Sequence, residues 1–348
     1  MDTTSGILDE ALERLHTCGP EFHGYLSNHG PMAVEALVRN GRSRSVHNWL
    51  DRYETRLEDV PAPRERITEE NWRAALGDPR RVTDWTAYFA RRIAERPWRE
   101  VLVQWWPRLL PGISGAATHP VIRVGHAVRT LTRDGETAPR VAELAHGLGY
   151  WAARHTTLPV SVRPAGTASP AEALAALPHV ADQQVGVVAG LAQLPGTRGW
   201  RQAAQTLRRP QDPEAAREQL AAVVRAAAHH YLDYGHGDNI LLVHAVTAPN
   251  AILRTLPVLP RELWGPSLDA AWAASAALAA VYTPDEPLPP LRTGPLTPEE
   301  VFERATAHGD EHVIKMTDAT LDVMSWSQDG DERASAAALR AMELIPRE

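Results

Sequence analysis

Lys and Arg together number 36, of which 35 are arginine and one is Lys315. The lysine lies in "EHVIKMTDA", residues 311–319, three positions after His312. An ion pair with Glu311, Asp318 or Asp322 would not require lysine here. An exposed pair contributes only about 0.3–0.5 kcal/mol, and arginine makes it equally well. What lysine offers and arginine does not is a deprotonated amine. Such an amine can form a Schiff base, act as a general base, or add carbon dioxide. The last product is a carbamate, an anionic oxygen donor with a longer reach than Glu. Chance is the competing reading, since a lysine placed at random among fifteen histidines often falls near one.

Five histidines stand in contexts that suit imidazole chemistry. His29 in "SNHGPMAVEAL" comes one turn ahead of a helix starting at Pro31. His119 directly precedes Pro120, which reads as a helix start, and His126 follows two turns later on the same face, with Arg123 and Thr130. That face is either solvated or aims two imidazoles into a polar cavity, and the sequence leaves both open. His244 in "DNILLVHAVTAP" sits in a segment apolar all round, so it should be buried. A buried imidazole needs partners for both nitrogens, a backbone carbonyl being the common answer and a metal the other. His312 and Lys315 are neighbours one turn apart and can point to one object. Imidazoles with one anionic oxygen suit Fe(II), and also Zn, Ni or Cu. His16, His47, His146, His155 and His179 stand in ordinary surface or core contexts.

The elements that must carry these residues are helical nearly throughout. "ILDEALERLH", "PMAVEALVRN", "VHNWLDRYETRL", "WTAYFARRIAERPWREVLVQWW" and "AAREQLAAVVRAAAHHYL" place apolar residues three and four apart. The 28 prolines fall mostly between such segments. The expectation is an all-α fold of about a dozen helices, a single compact domain over 1–348, with a Pro-rich linker at 283–297 before the C-terminal helices. Thr297, Pro298 and Glu300 spell a capping box at its end, and Asp310 reads as the N-cap of the lysine-bearing helix.

Composition removes several function classes. The formal net charge is −7 and no basic tract is interleaved with aromatics, which disfavours nucleic acid as a partner. The N-terminal stretch resembles neither a signal peptide nor a membrane span, and Cys18 is the lone cysteine, so a cytoplasmic location without membrane attachment is expected. No GxGxxG follows a strand, and "GHGD" at 235–238 is not one, so a Rossmann-bound flavin or nicotinamide is not expected. Eleven Trp against three Phe suggest broad amphipathic surfaces. Some of Trp72, Trp85, Trp98, Trp105, Trp106, Trp264, Trp272 and Trp326 are therefore expected around an apolar cavity of roughly 300–1,000 Å³.

"NHGPMAVEAL", the long run from "LGDPRRVTDW" to "THPVIRVGHAVRTL", "LLVHAVTAP" and "DEHVIKMTDA" together resemble the questin oxidase-like family. The similarity runs from near residue 20 to near residue 325. It implies a helical oxygenase of polyketide tailoring that opens an anthraquinone-type ring by a Baeyer–Villiger-like or dioxygenase route at a non-haem iron. The family's histidine motifs fall on His29, His119, His126, His244 and His312, and its lysine on Lys315. These six are the expected metal ligands, with His312 and Lys315 as the catalytic pair. Many relatives double the first histidine, where this chain has Asn28-His29. Fe(II) is the expected cofactor, with NADPH weighed as an external reductant, and the expected partners are an aromatic polyketide and dioxygen. A metal-dependent hydrolase and a non-catalytic helical protein binding aromatic polyketides are the alternatives.

Overall fold

The computed structural model describes residues 3–291, 294, 296–328 and 330–347. The structure is 67% helical, with 17 α-helices among the described residues, so the all-α expectation holds. The excess over a dozen comes from pieces such as Trp72–Ala75, Pro170–Ala175, Val187–Ala192 and Trp200–Ala204. These have six residues or fewer, too short for a 3.6-residue period to be read. Among the described residues, strand structure is confined to one antiparallel pair, Glu21–Phe22 with Leu26–Ser27.

The helices pack into two compact units, Met1–Thr157 with Pro257–Pro260, and Leu158–Leu256 with Arg261–Glu348. In the first unit, the Val82–Glu95 helix packs along Ala138–Ala153, and Gly30–Arg39 packs on Thr3–His16 and His119–Arg133. Its largest aromatic cluster joins Trp85, Trp105, Tyr88 and Phe89, with Trp72 edge-on to Trp105 at 5.1 Å. Edge-to-face rings of this kind fill a helix interface with few rotamers to lose.

In the second unit, the Leu241–Thr255 helix packs against Pro213–Tyr234, Trp264–Tyr282 and Glu311–Ser325. Neighbours on several sides are what an all-apolar helix requires. This helix contains an interior proline, Pro249. Proline has no N–H for the carbonyl four residues back, which is Ala245. The Ser275 hydroxyl donates to that carbonyl instead, at 2.8 Å.

Local caps set the helices that follow. Thr297 and Glu300 form the expected capping box on Pro298–His308. Asp310 caps Glu311–Ser325, accepting from the backbone N–H of His312 and Val313. Of the 283–297 linker, residues 292, 293 and 295 lie outside the described residues. Leu241–Val258 is apolar and long enough to cross a membrane, but 72% of it is buried within the fold, as in a core helix.

Candidate metal-binding histidines and lysine

In the first unit, His29 is the N-cap residue of Gly30–Arg39, and its backbone N–H donates to the Tyr53 hydroxyl. Its ring faces that of His119, with the two Nε2 atoms 2.6 Å apart and the rings tilted by 35°. His119 Nδ1 lies 2.6 Å from the Ala116 carbonyl oxygen. A carbonyl only accepts, so Nδ1 carries the proton, and the neutral ring presents a lone pair at Nε2.

The polar face of His119–Arg133 is not solvated: His119, Arg123, His126 and Thr130 are all buried. Each of them has its own partner. Arg123 makes a two-pronged ion pair with Glu143 at 2.5 and 2.8 Å, and Thr130 donates to the His126 carbonyl. His126 Nδ1 lies 2.7 Å from Glu35 Oε2, and Arg129 holds the same carboxylate through both of its oxygens. Burial alone would raise the Glu35 carboxyl, but Arg129 and His126 outweigh it and hold it well below the usual carboxylate range. A carboxylate on Nδ1 fixes the tautomer and orientation of an imidazole, as around metal-ligating histidines. Sequence reasoning missed Glu35. Its signal was a single acid inside the apolar run "PMAVEALV".

In the second unit, His244 on Leu241–Thr255 and His312 on Glu311–Ser325 are both buried, with ring centroids 5.6 Å apart. Asp310, Glu311 and His312 bring ligand atoms within 4.8 Å of one another. Lys315 is 1% exposed, and its Nζ has no hydrogen-bond partner among the described residues. Burial lowers its amine to about 8, against the opposing pull of Glu311 and Asp310. Two of the three acids expected to pair with it, Asp318 and Asp322, are bonded to Arg254. The bonds reach Asp318 Oδ2 at 2.7 Å and Asp322 Oδ2 at 2.8 Å, and Asn250 also donates to Asp322.

The structure thus brings His29 to His119 and His244 to His312, sets His126 on Glu35, and leaves Lys315 as a buried amine with no hydrogen-bonding partner. Oriented imidazoles are donors of the kind a borderline divalent metal such as iron takes, and the Lys315 amine would join them only as a carbamate. The histidines set aside in the sequence have ordinary duties. His16 bonds Glu143 and stacks on His146, His47 pairs with Glu10 and His179 with Asp285.

Residues 26–320 match the family described as Questin oxidase-like. This chain belongs to the questin oxidase-like family. Its name marks an oxidase, which places the chain among enzymes of the oxidoreductase kind. No curated protein matches the chain. All six candidate residues fall inside the matched span. In this questin oxidase-like chain Trp72, Trp85, Trp98, Trp105, Trp106 and Trp272 are buried in packing, whereas Trp326 is 37% exposed. Two cavities of the first unit, about 420 and 590 Å³, are lined mainly by Pro and Arg, with Glu65 and Asp84 in the smaller, and by no tryptophan. A third, of about 10 Å³, lies among Glu35, His126, Arg140 and Glu143 and has room for one water.

Proposed function

We propose that this chain is an iron-dependent oxygenase that opens a ring of an anthraquinone-type aromatic polyketide. Within the family assignment, the observation that carries this reading is Lys315, a buried amine with no hydrogen-bond partner, one turn from His312. His29, His119, His126, His244 and His312 are the proposed nitrogen donors, and Lys315 the proposed oxygen donor after carboxylation. In that modification the amine nitrogen attacks the carbon of carbon dioxide and loses one proton, leaving an N-carboxylate with a single negative charge. Bound Fe(II) would supply the one-electron chemistry that brings dioxygen into reaction with a closed-shell ring.

The chain's own residues bind and orient. The Ala116 carbonyl and the Glu35 carboxylate hold Nδ1 of His119 and His126, which turns the other nitrogen of each ring toward a ligand. Arg254 occupies Asp318 and Asp322, leaving the Lys315 amine open to carbon dioxide. An electron-rich aryl alkoxide supplies its own electrons on a dioxygenase route. A Baeyer–Villiger-like route draws two further electrons from an external reductant such as NADPH. Family membership supports the oxidase over a water-activating hydrolase or a non-catalytic binding protein.

The test loads purified protein anaerobically with Fe(II) and records oxygen uptake with a hydroxyanthraquinone, with and without NADPH. The expected result is bound iron and quinone-dependent uptake, with iron lost in both His119→Ala and His312→Ala. Uptake by iron-free protein would overturn the metal dependence. Quinone binding without uptake would turn the reading toward a binding protein.

A further inference from the structure

Just before His119, three consecutive non-glycine residues take left-handed backbone: Ala116 at φ 43°, Ala117 at φ 52° and Thr118 at φ 71°. A side chain with a Cβ is crowded there, a β-branched one most of all. Thr118 is also buried, and its hydroxyl has no hydrogen-bond partner among the described residues. Nothing in the local sequence favours this path, so the surroundings must impose it. The end of the Ala138–Ala153 helix and the segment after it do so. Trp151 Nε1 donates to the Gly112 carbonyl at 3.2 Å, and Ser114 Oγ donates to the Thr156 carbonyl at 2.6 Å. Ile113 bridges Thr156 in parallel. A Cβ on Gly115 would lie 1.9 Å from the Arg154 carbonyl oxygen, and one on Gly112 would lie 2.2 Å from the His155 ring, so the two strands of chain approach as only glycine allows.

What the turn delivers is one carbonyl. In a regular helix the Ala116 carbonyl would accept from the residue four positions on, but that residue is Pro120, which has no N–H. It accepts instead from the His119 backbone N–H, and the left-handed turn leaves its second lone pair pointing at His119 Nδ1. We infer that the turn Ala116–Thr118 is a positioning device that fixes His119 as the Nδ1–H tautomer and aims its Nε2 lone pair at His29. It follows that, in the metal-free protein, His29 donates the hydrogen bond between the two Nε2 atoms. The consequence for metal rests on the reading of His119 as a ligand; the tautomer does not.

The experiment uses the full chain, labelled with ¹⁵N-histidine and free of metal. NMR should show His119 protonated at Nδ1 and bare at Nε2, with the reverse at His29 Nε2. Ser114→Ala loosens the clamp, and Pro120→Ala supplies a backbone N–H that competes for the Ala116 carbonyl. Both should show a mixed His119 tautomer, and anaerobic Fe(II) titration should read an affinity weaker by about 10-fold. Ala117→Gly keeps the path without the crowded Cβ, so it should retain the single tautomer while raising Tm by roughly 2–4 °C. An Nε2–H form of His119 in the wild type, a single Nδ1–H form surviving in both loosened variants, or a lower Tm for Ala117→Gly would each overturn the inference. If tautomers and Tm behave as expected but Fe(II) binds neither wild type nor variants, the turn stands and the metal reading falls.

Discussion

Two clusters of buried polar groups, one in each unit, are treated in opposite ways. In the first, His119 leans on the Ala116 carbonyl, His126 on Glu35, Arg123 on Glu143 and Arg129 on Glu35. In the second, Lys315 is buried with its Nζ unbonded while Arg254 holds Asp318 and Asp322. The first pattern gives rigidity, because satisfied buried networks fix one geometry. The second leaves a reactive group uncommitted, at a cost in stability that a fold tolerates for function.

The largest expected effect falls on the uncommitted side. Lys315→Arg keeps the charge but cannot form a carbamate, since guanidinium does not deprotonate in proteins. Iron content should drop to background, and removing bicarbonate during loading should weaken the wild type likewise. Normal iron and turnover in Lys315→Arg would return position 315 to chance. On the committed side, Glu35→Gln leaves the buried Arg129 without its carboxylate. Urea unfolding should show a loss of about 3–5 kcal/mol. A loss below about 1 kcal/mol would mean that this network is not the anchor described here.

Acid should expose the same commitment at Glu143. Burial alone would raise its carboxyl, but Arg123 and His16 hold it at about 2 against an ordinary 4.5. A depressed carboxylate stabilises the fold above its unfolded pKa. That contribution, on the order of 3 kcal/mol, should therefore fade as pH falls from 4.5 toward 2. Glu143→Gln should be less stable than wild type at neutral pH and show a flatter acid limb. Equal slopes would remove Glu143 from the account. Lys315→Met tests the contrast from the other side. Replacing a buried cation that lacks a hydrogen-bond partner with an apolar chain of similar length should stabilise the metal-free protein, by roughly 2–3 kcal/mol at neutral pH. Destabilisation instead would show that the amine is held after all. The smallest change is Ser275→Ala, which strips the Ala245 carbonyl of its donor and should cost about 1–2 kcal/mol by urea unfolding.

Legibility in the sequence followed distance along the chain. Caps such as Thr297 with Glu300, or Asp310 with His312, join residues two or three apart, so their chemistry could be read directly. Periodicity gave the long helices for the same reason. The partner of His126 lies 91 positions away, and no local pattern announces a contact at that range. Ser275, which stands in for the N–H that Pro249 lacks, lies 30 positions from the carbonyl it serves, also beyond any local pattern. The left-handed turn escaped notice because its residues are Ala, Ala and Thr, where glycine would have flagged it. Lys315 was conspicuous by type, but Arg254's hold on Asp318 and Asp322 became visible only with the fold.

The solitary amine has a practical consequence. In the native protein an acylating reagent meets no exposed ε-amino group, because the chain's one lysine is 1% exposed. Acylation by a bulky reagent at that position therefore requires the fold to open, and its rate under native conditions counts those openings. Mass spectrometry of a single peptide would then report the opening free energy around Glu311–Ser325, with no engineered probe, and a bound ligand that closes this region would register as slower labelling.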